Sequence, residues 1–322
     1  MIRGRFAPTP SGEMHIGNGR TALLAWLQIR HAGGEFVLRM EDIDGPRSRI
    51  ALAEQILSDL RWLGLDWDEG PDVGGPYGPY TQSERLPRYE QAVERLLAAG
   101  LLYPCYCSRA ELLSVASAPH GLDAEGPAYA GTCRSLSESE RAERAARKTP
   151  SLRFTMPMKS IRYHDEAAGA CSFPPGAGGD YVVRRADGII SYQLAVVLDD
   201  ADMRITDVLR GYDLLDSTPR QLMLYEALGL EIPRFAHVPL LLGDDGKRLA
   251  KRHGALSLRA LRENGVPPQR VIGALASVSG LHDRIEAIDA SELIDGFSLD
   301  KIPAEPVRVN QSWLDELAGP RH

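Results

Sequence analysis

Apolar residues in the first 100 positions switch between two spacings. Residues 2–7 read as a short strand, and Pro8, Pro10 and Gly12 break it into a loop. A helix is expected from about Gly17 to His31, with Leu23, Leu24, Trp26, Leu27 and Ile29 on its apolar side, ended by Gly33 and Gly34. Phe36 to Met40 reads as a buried strand. Residues 47–63 form an amphipathic helix through Ile50, Ala53, Ile56, Leu57, Leu60 and Leu63, closed by Gly64. A further helix is expected from about Ser83 to Ala99, closed by Gly100. Such alternation predicts a parallel sheet with helices on its faces.

The pattern changes over residues 101–180. This stretch holds all four cysteines and two runs rich in Gly, Pro and Ala, at 115–131 and 167–179, and reads as an insertion with exposed loops. Strand signals return at 181–198, and Tyr192 and Arg210 fall on these returning strands. Ser217 or Thr218, followed by Pro219, opens a helix that ends at Gly229. His237 to Leu242 reads as a strand ended by a Gly-Asp-Asp-Gly turn, and the chain is helical after about residue 255. The expected architecture is α/β. Residues 1–104 and 181–254 are the halves of a Rossmann-type parallel-sheet domain, 105–180 an inserted subdomain, and 255–322 a small C-terminal helical region.

Composition narrows this little. Hydrophobic residues make up 43% and charged residues 25%, ordinary for a globular protein. No apolar run approaches the roughly 20 residues of a membrane span. The N-terminus lacks the apolar core of a signal peptide, so a cytoplasmic protein without membrane association is expected. The net charge of −7 argues against a protein dominated by nonspecific phosphate attraction. Arg141, Arg144, Arg147 and Lys148 form either a basic patch or, with Glu140 and Glu143, a solvated helix.

Two segments carry nucleotide chemistry. The loop between the first strand and first helix holds His15, Gly17 and Asn18. It lies at the C-terminal end of a parallel strand, where α/β sheets bind ligands. The helix start offers free N–H groups to phosphate. His15 can donate to a phosphate oxygen, and Gly17 allows close approach to the backbone. Far downstream, Lys247, Arg248, Lys251 and Arg252 place four cations in six residues, suited to a polyphosphate whose charge rises during attack at its α-phosphorus. In the insertion, Cys105, Cys107 and Cys133 offer three thiolates to a tetrahedral zinc ion, with Tyr129, His120 or water as the fourth ligand. Such a zinc ion would be structural, pinning a loop-rich segment.

The two nucleotide segments resemble the His-Ile-Gly-His and Lys-Met-Ser-Lys-Ser motifs of class I aminoacyl-tRNA synthetases. Residues 5–12, the stretch from Arg39 to Asp44, and Gln82 to Arg85 narrow the resemblance to the glutamyl branch. Asn18 stands for the final His of the first motif. Arg248 and Ala250 stand for the first Lys and the Ser of the second, and Lys251 matches its second lysine. The resemblance implies that His15, Asn18 and Lys251 are catalytic and that His15, Gly17, Asn18, Arg248 and Lys251 hold ATP with Mg²⁺. It also implies that Arg5, Phe6, Ala7, Pro8, Thr9, Glu41, Tyr192 and Arg210 bind L-glutamate. Glu41 would take the α-ammonium and the arginines the carboxylates. It favours Tyr129 as the fourth zinc ligand.

The length of 322 residues points to the short glutamyl-Q tRNA(Asp) synthetase family, which has no anticodon-binding domain. That family implies a monomer that passes glutamate from an adenylate to queuosine at position 34 of tRNA(Asp). Three alternatives stand beside this reading. They are a truncated glutamyl-tRNA synthetase charging the 3′ end, a non-catalytic paralogue that binds tRNA or glutamate, and a small-molecule ligase of the same nucleotide fold.

Overall fold

The structure is a computed structural model that describes residues 1–45, 50–108, 111, 129, 131–247, 249 and 257–318. Strand β1 (Arg3–Phe6) leads through a loop into helix α1 (Ile16–His31) and back to β2 (Glu35–Leu38), which pairs with β1 in parallel. Helix α2 covers Ile50–Trp62, and α3 (Leu86–Ala98) is entered through a 3-10 turn at Gln82–Arg85. After these come β3 (Leu102–Cys105), α4 (Glu138–Ala145), β4 (Ser151–Phe154), β5 (Ile161–Asp165), β6 (Gly169–Phe173) and β7 (Tyr181–Arg184). The second half holds α5 (Tyr192–Asp202), β8 (Asp207–Gly211), α6 (Thr218–Leu228), β9 (Arg234–Val238) and β10 (Leu241–Leu242). Helices α7 (Leu258–Glu263) and α8 (Pro268–Ser277), strand β11 (Val307–Arg308) and α9 (Gln311–Ala318) complete it.

The main sheet runs β2-β1-β8-β9-β5-β6, parallel except for the antiparallel β5–β6 hairpin at one edge. The hairpin lies inside the segment read from sequence as an insertion, yet Asp165 on β5 pairs with Phe235 on β9. A separate antiparallel sheet, β3-β4-β7, carries the cysteine-bearing segment. Alternate residues of the buried strands face opposite layers. Phe36, Leu38, Leu209 and Ala236 pack with α1, α2 and the C-terminal helices, whereas Val37, Val208 and Phe235 pack with α3, α5 and α6. Burying each large apolar side chain contributes about 1.5–3 kcal/mol. The C-terminal elements share this core, because Leu258, Leu261, Val271, Ile272 and Leu275 join the α1 layer.

Two sequence expectations need correction. The apolar stretch at 181–198 is a four-residue strand followed by a helix, so Tyr192 begins α5 rather than lying on a strand. Ser191 caps that helix by accepting from the Leu194 amide at 3.4 Å, and α5 is buried nearly all round, which removes the alternation that marks an amphipathic helix. The strand expected at His237–Leu242 is divided into β9, which starts earlier, and the short β10, with Pro239 between them. Proline lacks the N–H that a continuous ladder requires. Helix α6 ends as expected at Gly229, whose φ of 65° is the left-handed cap conformation.

Candidate active site

The sheet order reverses at β1, since the chain leaves it for β2 on one side and returns as β8 on the other. Open α/β sheets bind ligands outside the C-terminal ends of strands at such a point. A cleft of about 180 Å³ lies there, lined by Arg5, Glu41, Tyr192, Arg210, His15, Gly17 and Asn18 among others. Residues drawn from the nucleotide loop and from the expected amino-acid pocket therefore share one cavity. Phe6 and Ala7 line it too, whereas Pro8 and Thr9 are part-buried or exposed on the loop that leaves β1.

His15 caps α1. Its Nδ1 accepts from the amides of Gly17 at 3.1 Å and Asn18 at 3.4 Å, and Asn18 Oδ1 accepts from the His15 amide at 3.1 Å. An Nδ1 that accepts leaves the ring proton on Nε2, which makes His15 a donor at the helix start. A Cβ at Gly17 would lie 3.0 Å from His15 Cε1, so a larger residue would press on the capping imidazole. Asn18, in the place of a second histidine, thus completes a reciprocal cap.

Two described residues in and after the basic stretch, Leu249 and Ser257, lie at this cleft. Leu249 lines it and donates its amide to Leu241 at 2.9 Å, while Ser257 bridges to His15 and the Leu258 amide donates to Met14 at 2.9 Å. Arg248, Ala250, Lys251 and Arg252 lie outside the described residues.

Under the amino-acid side of the cleft is a buried charge network. Arg5 Nε and Nη2 donate to the two oxygens of Asp200, each at 3.2 Å. Arg39 donates to Asp200 at 2.8 Å and to Glu41 at 3.0 Å. Asp199 accepts from Arg85 at 2.6 Å, Gln82 at 2.8 Å and Tyr89 at 2.9 Å. Burial alone would raise Asp200, but Arg5 and Arg39 outweigh it and hold the carboxyl below its ordinary range. Glu41 shows the opposite balance, since its burial prevails over Arg39 and Arg5 and raises it. An incoming ammonium would reverse that balance. Burial likewise raises the Tyr192 phenol, keeping it a neutral donor.

The two candidate carboxylate-binding arginines differ. Arg5 is already paired with Asp200. Arg210 donates to neutral acceptors, His237 Nε2 at 2.9 Å and Thr218 Oγ1 at 2.9 Å, and its buried Nη1 has no hydrogen-bond partner. A buried donor left without a partner carries a desolvation cost that a bound acceptor would relieve.

Comparison with known proteins gives this arrangement its context. The family model described as tRNA synthetases class I (E and Q), catalytic domain, matches residues 1–316. The chain belongs to this family. It is 63% identical over 320 residues to the glutamyl-Q tRNA(Asp) synthetase of Symbiobacterium thermophilum, covering 99% of both chains. It is 47% identical to the enzyme of the same description from Nitratidesulfovibrio vulgaris, covering 98% of each. The crystal structure of glutamate-tRNA synthetase from Elizabethkingia anophelis superposes with a TM-score of 0.85 at 32% identity, over 97% of this chain and 68% of that one. The protein is thus a ligase-type class I synthetase, with a mixed α/β fold built on a parallel sheet.

This class I synthetase also carries a cluster of thiols that can hold a metal ion. The Sγ atoms of Cys105, Cys107 and Cys133 lie within 4.8 Å of one another, and none is in a disulfide. Tyr129 Oη lies 3.4 Å from Cys105 Sγ and 3.5 Å from Cys107 Sγ, and Cys107 and Cys133 are 3.6 Å apart. Tetrahedral zinc with bonds of about 2.3 Å to sulfur and about 2.0 Å to oxygen requires S···S near ~3.8 Å and S···O near ~3.5 Å. The donor set fits. The Tyr129 oxygen accepts from the Cys133 amide at 2.9 Å, and Arg153 lies 3.9 Å from its ring centre. Against its own burial, hydrogen bonds from Tyr129 and Arg153 draw the Cys105 thiol down to about 7. Cys171 lies apart, on β6.

Sequence reading missed several residues that shape this synthetase's cleft. Asp199 and Asp200 were hidden in an apolar run, although two acids on an otherwise buried helix are themselves a signal of paired charge. Arg20, to which the sequence reading gave no role, lines the cleft and donates to Ser279 at 2.9 Å and the Pro239 carbonyl at 2.5 Å. Its burial without a carboxylate partner pushes it down to about 10. Arg147 of the possible basic patch pairs with Glu143 at 2.7 Å on an exposed face, the solvated-helix arrangement. Among the described residues no helix is long and apolar enough to cross a membrane.

Proposed function

We propose that this enzyme activates L-glutamate with ATP and transfers the glutamyl group to queuosine at position 34 of tRNA(Asp). The observation that carries it is the single cleft in which the α1 start, with His15, Gly17 and Asn18, meets Arg5, Glu41, Tyr192 and Arg210. Its charges complement a dicarboxylic amino acid. Glu41 receives the α-ammonium, Arg210 a carboxylate, and Tyr192 donates a hydrogen bond. Arg5, held by Asp200, presents its remaining edge to the substrate. The end-to-end match with relatives described as glutamyl-Q tRNA(Asp) synthetases supports the acceptor.

In the first step the glutamate α-carboxylate attacks the ATP α-phosphorus in line. The bond to the bridging oxygen breaks and pyrophosphate leaves, giving glutamyl-adenylate. No residue acts as a covalent nucleophile, so catalysis rests on positioning and charge stabilisation. His15 Nε2–H and the α1 amides face the phosphates, and Mg²⁺ accompanies ATP as counter-charge. Arg248 and Lys251 are assigned to ATP from the sequence motif. In the second step a ring hydroxyl of queuosine attacks the glutamyl carbonyl, losing its proton, and AMP leaves.

The test uses ATP, labelled glutamate and purified tRNA(Asp) with or without queuosine. Label is expected in nucleoside 34 of the queuosine-containing tRNA alone. Label on the 3′-terminal ribose, or no glutamate-dependent ATP–pyrophosphate exchange, overturns the reading.

We assign Cys105, Cys107, Cys133 and Tyr129 to one structural zinc ion, which would tie the segment after β3 to the β3-β4-β7 sheet. Chelation is expected to release about one zinc per chain and to lower the melting temperature by several degrees. Purified protein containing no zinc, with melting unchanged by chelator or by Cys133→Ser, sinks this assignment.

A further inference from the structure

The surroundings of Arg210 continue one layer deeper, to a carboxylate that it does not touch. Asp165 ends β5 and is fully buried. Its Oδ1 accepts from three amides, those of Ala167 at 3.1 Å, Ala168 at 2.8 Å and His237 at 2.9 Å. Its Oδ2 lies 2.5 Å from His237 Nδ1. These contacts leave little freedom. A carboxyl that receives three N–H bonds is ionised, and the bonds, with His237, prevail over burial to keep it below its ordinary range. An ionised carboxylate only accepts, so the His237 proton sits on Nδ1 and Nε2 presents a bare lone pair. Arg210 Nε donates to that lone pair at 2.9 Å. The imidazole is neutral, because burial, aided by Arg210, pushes it down to about 4 against the pull of Asp165. The His237 ring also stacks on Phe235, which supports the guanidinium of Arg210 5.0 Å from its ring centre.

We infer that Asp165 and His237 are positioning residues for Arg210, fixing its guanidinium through a neutral imidazole so that its positive charge stays available to the substrate carboxylate. The contrast with Arg5 shows the consequence. A carboxylate placed directly on Arg210, as Asp200 is on Arg5, would compete with glutamate for the same donors. Placing the acid one imidazole away supplies orientation and leaves Nη1 unpartnered. The arrangement also accounts for the β5–β6 hairpin being hydrogen-bonded into the main sheet, since β5 delivers Asp165 to β9. This inference rests on the assignment of Arg210 to a substrate carboxylate.

Two measurements test it. In the intact wild-type enzyme, ¹⁵N NMR of the imidazoles, with the His237 signal identified by its loss in His237→Gln, is expected to show a proton on Nδ1 and none on Nε2 at neutral pH. In ATP–pyrophosphate exchange, His237→Leu and Asp165→Asn are expected to raise KM for glutamate at least tenfold and leave KM for ATP within twofold. His237→Gln, whose amide oxygen can accept from Arg210, is expected to recover part of the loss. A proton on Nε2 in the wild type overturns the inference, as does a parallel rise in both KM values or a Gln variant no better than Leu. Wild-type enzyme that shows no glutamate-dependent exchange would instead overturn the functional reading underneath.

Discussion

Arg210→Ala is expected to raise KM for glutamate between about 30-fold and several-thousand-fold, with KM for ATP nearly unchanged. The range follows from the cost of removing one partner of a buried, hydrogen-bonded charge pair, about 2–5 kcal/mol, at about 1.4 kcal/mol per tenfold change. Arg210 is buried and, among the described residues, donates to His237 and Thr218 and pairs with no acid, so the charge lost is not one that neutralises a carboxylate of the described fold. The effect should therefore appear in glutamate affinity far more than in stability. Arg210→Lys is expected to recover little, because an ammonium cannot donate to His237, Thr218 and a ligand in the same planar arrangement. Exchange kinetics with each substrate varied separately decide the matter. A change in KM for glutamate below threefold would remove Arg210 from the pocket.

The second large effect is on folding. Among the described residues, Asp200→Ala leaves Arg5 without its one carboxylate partner and deprives Arg39 of one of three. Breaking a buried ion pair from one side costs about 3–5 kcal/mol. At roughly 2–4 °C per kcal/mol for a chain approaching this size, the melting temperature should fall by about 6–20 °C. The same pair carries a pH signature. Asp200 is held below its ordinary value, so its contribution is full at pH values above the ordinary carboxylate range and is lost as pH falls through and below it. Wild-type stability should therefore decline on acidification more steeply than that of Asp200→Ala. Thermal melts at several pH values test both statements, and a shift under 2 °C at neutral pH would show that the network does not hold the cleft floor.

Much of this molecule was legible along the chain because its signals are local. The helix starting near Gly17 and the caps at Gly64, Gly100 and Gly229 depend on neighbours a few residues away. The same holds for the turn that follows β10. The spacing of Cys105, Cys107 and Cys133 likewise carried the expectation of a metal cluster, and the fold brings the three thiols together. What failed locally did so for a physical reason. Helix α5 is buried nearly all round, so its apolar run has no period to read, and Pro239 divides a stretch whose apolar residues look continuous.

The sequence by itself determined the class of chemistry through a strand–loop–helix turn, a distant basic segment, a thiol cluster and a resemblance to the glutamyl branch of class I synthetases, which nominated the charged residues for a dicarboxylic substrate. Only the tertiary structure decided which charges are spent and which are available. Arg5 and Arg210 are alike in sequence, but long-range pairing gives Asp200 to one and a neutral imidazole to the other. That difference depends on contacts between residues 195 apart for Arg5 and 27 apart for Arg210, with Asp165 a further 72 positions from His237. The strength of a charge pair is set by its separation in space, a distance that no spacing along the chain encodes.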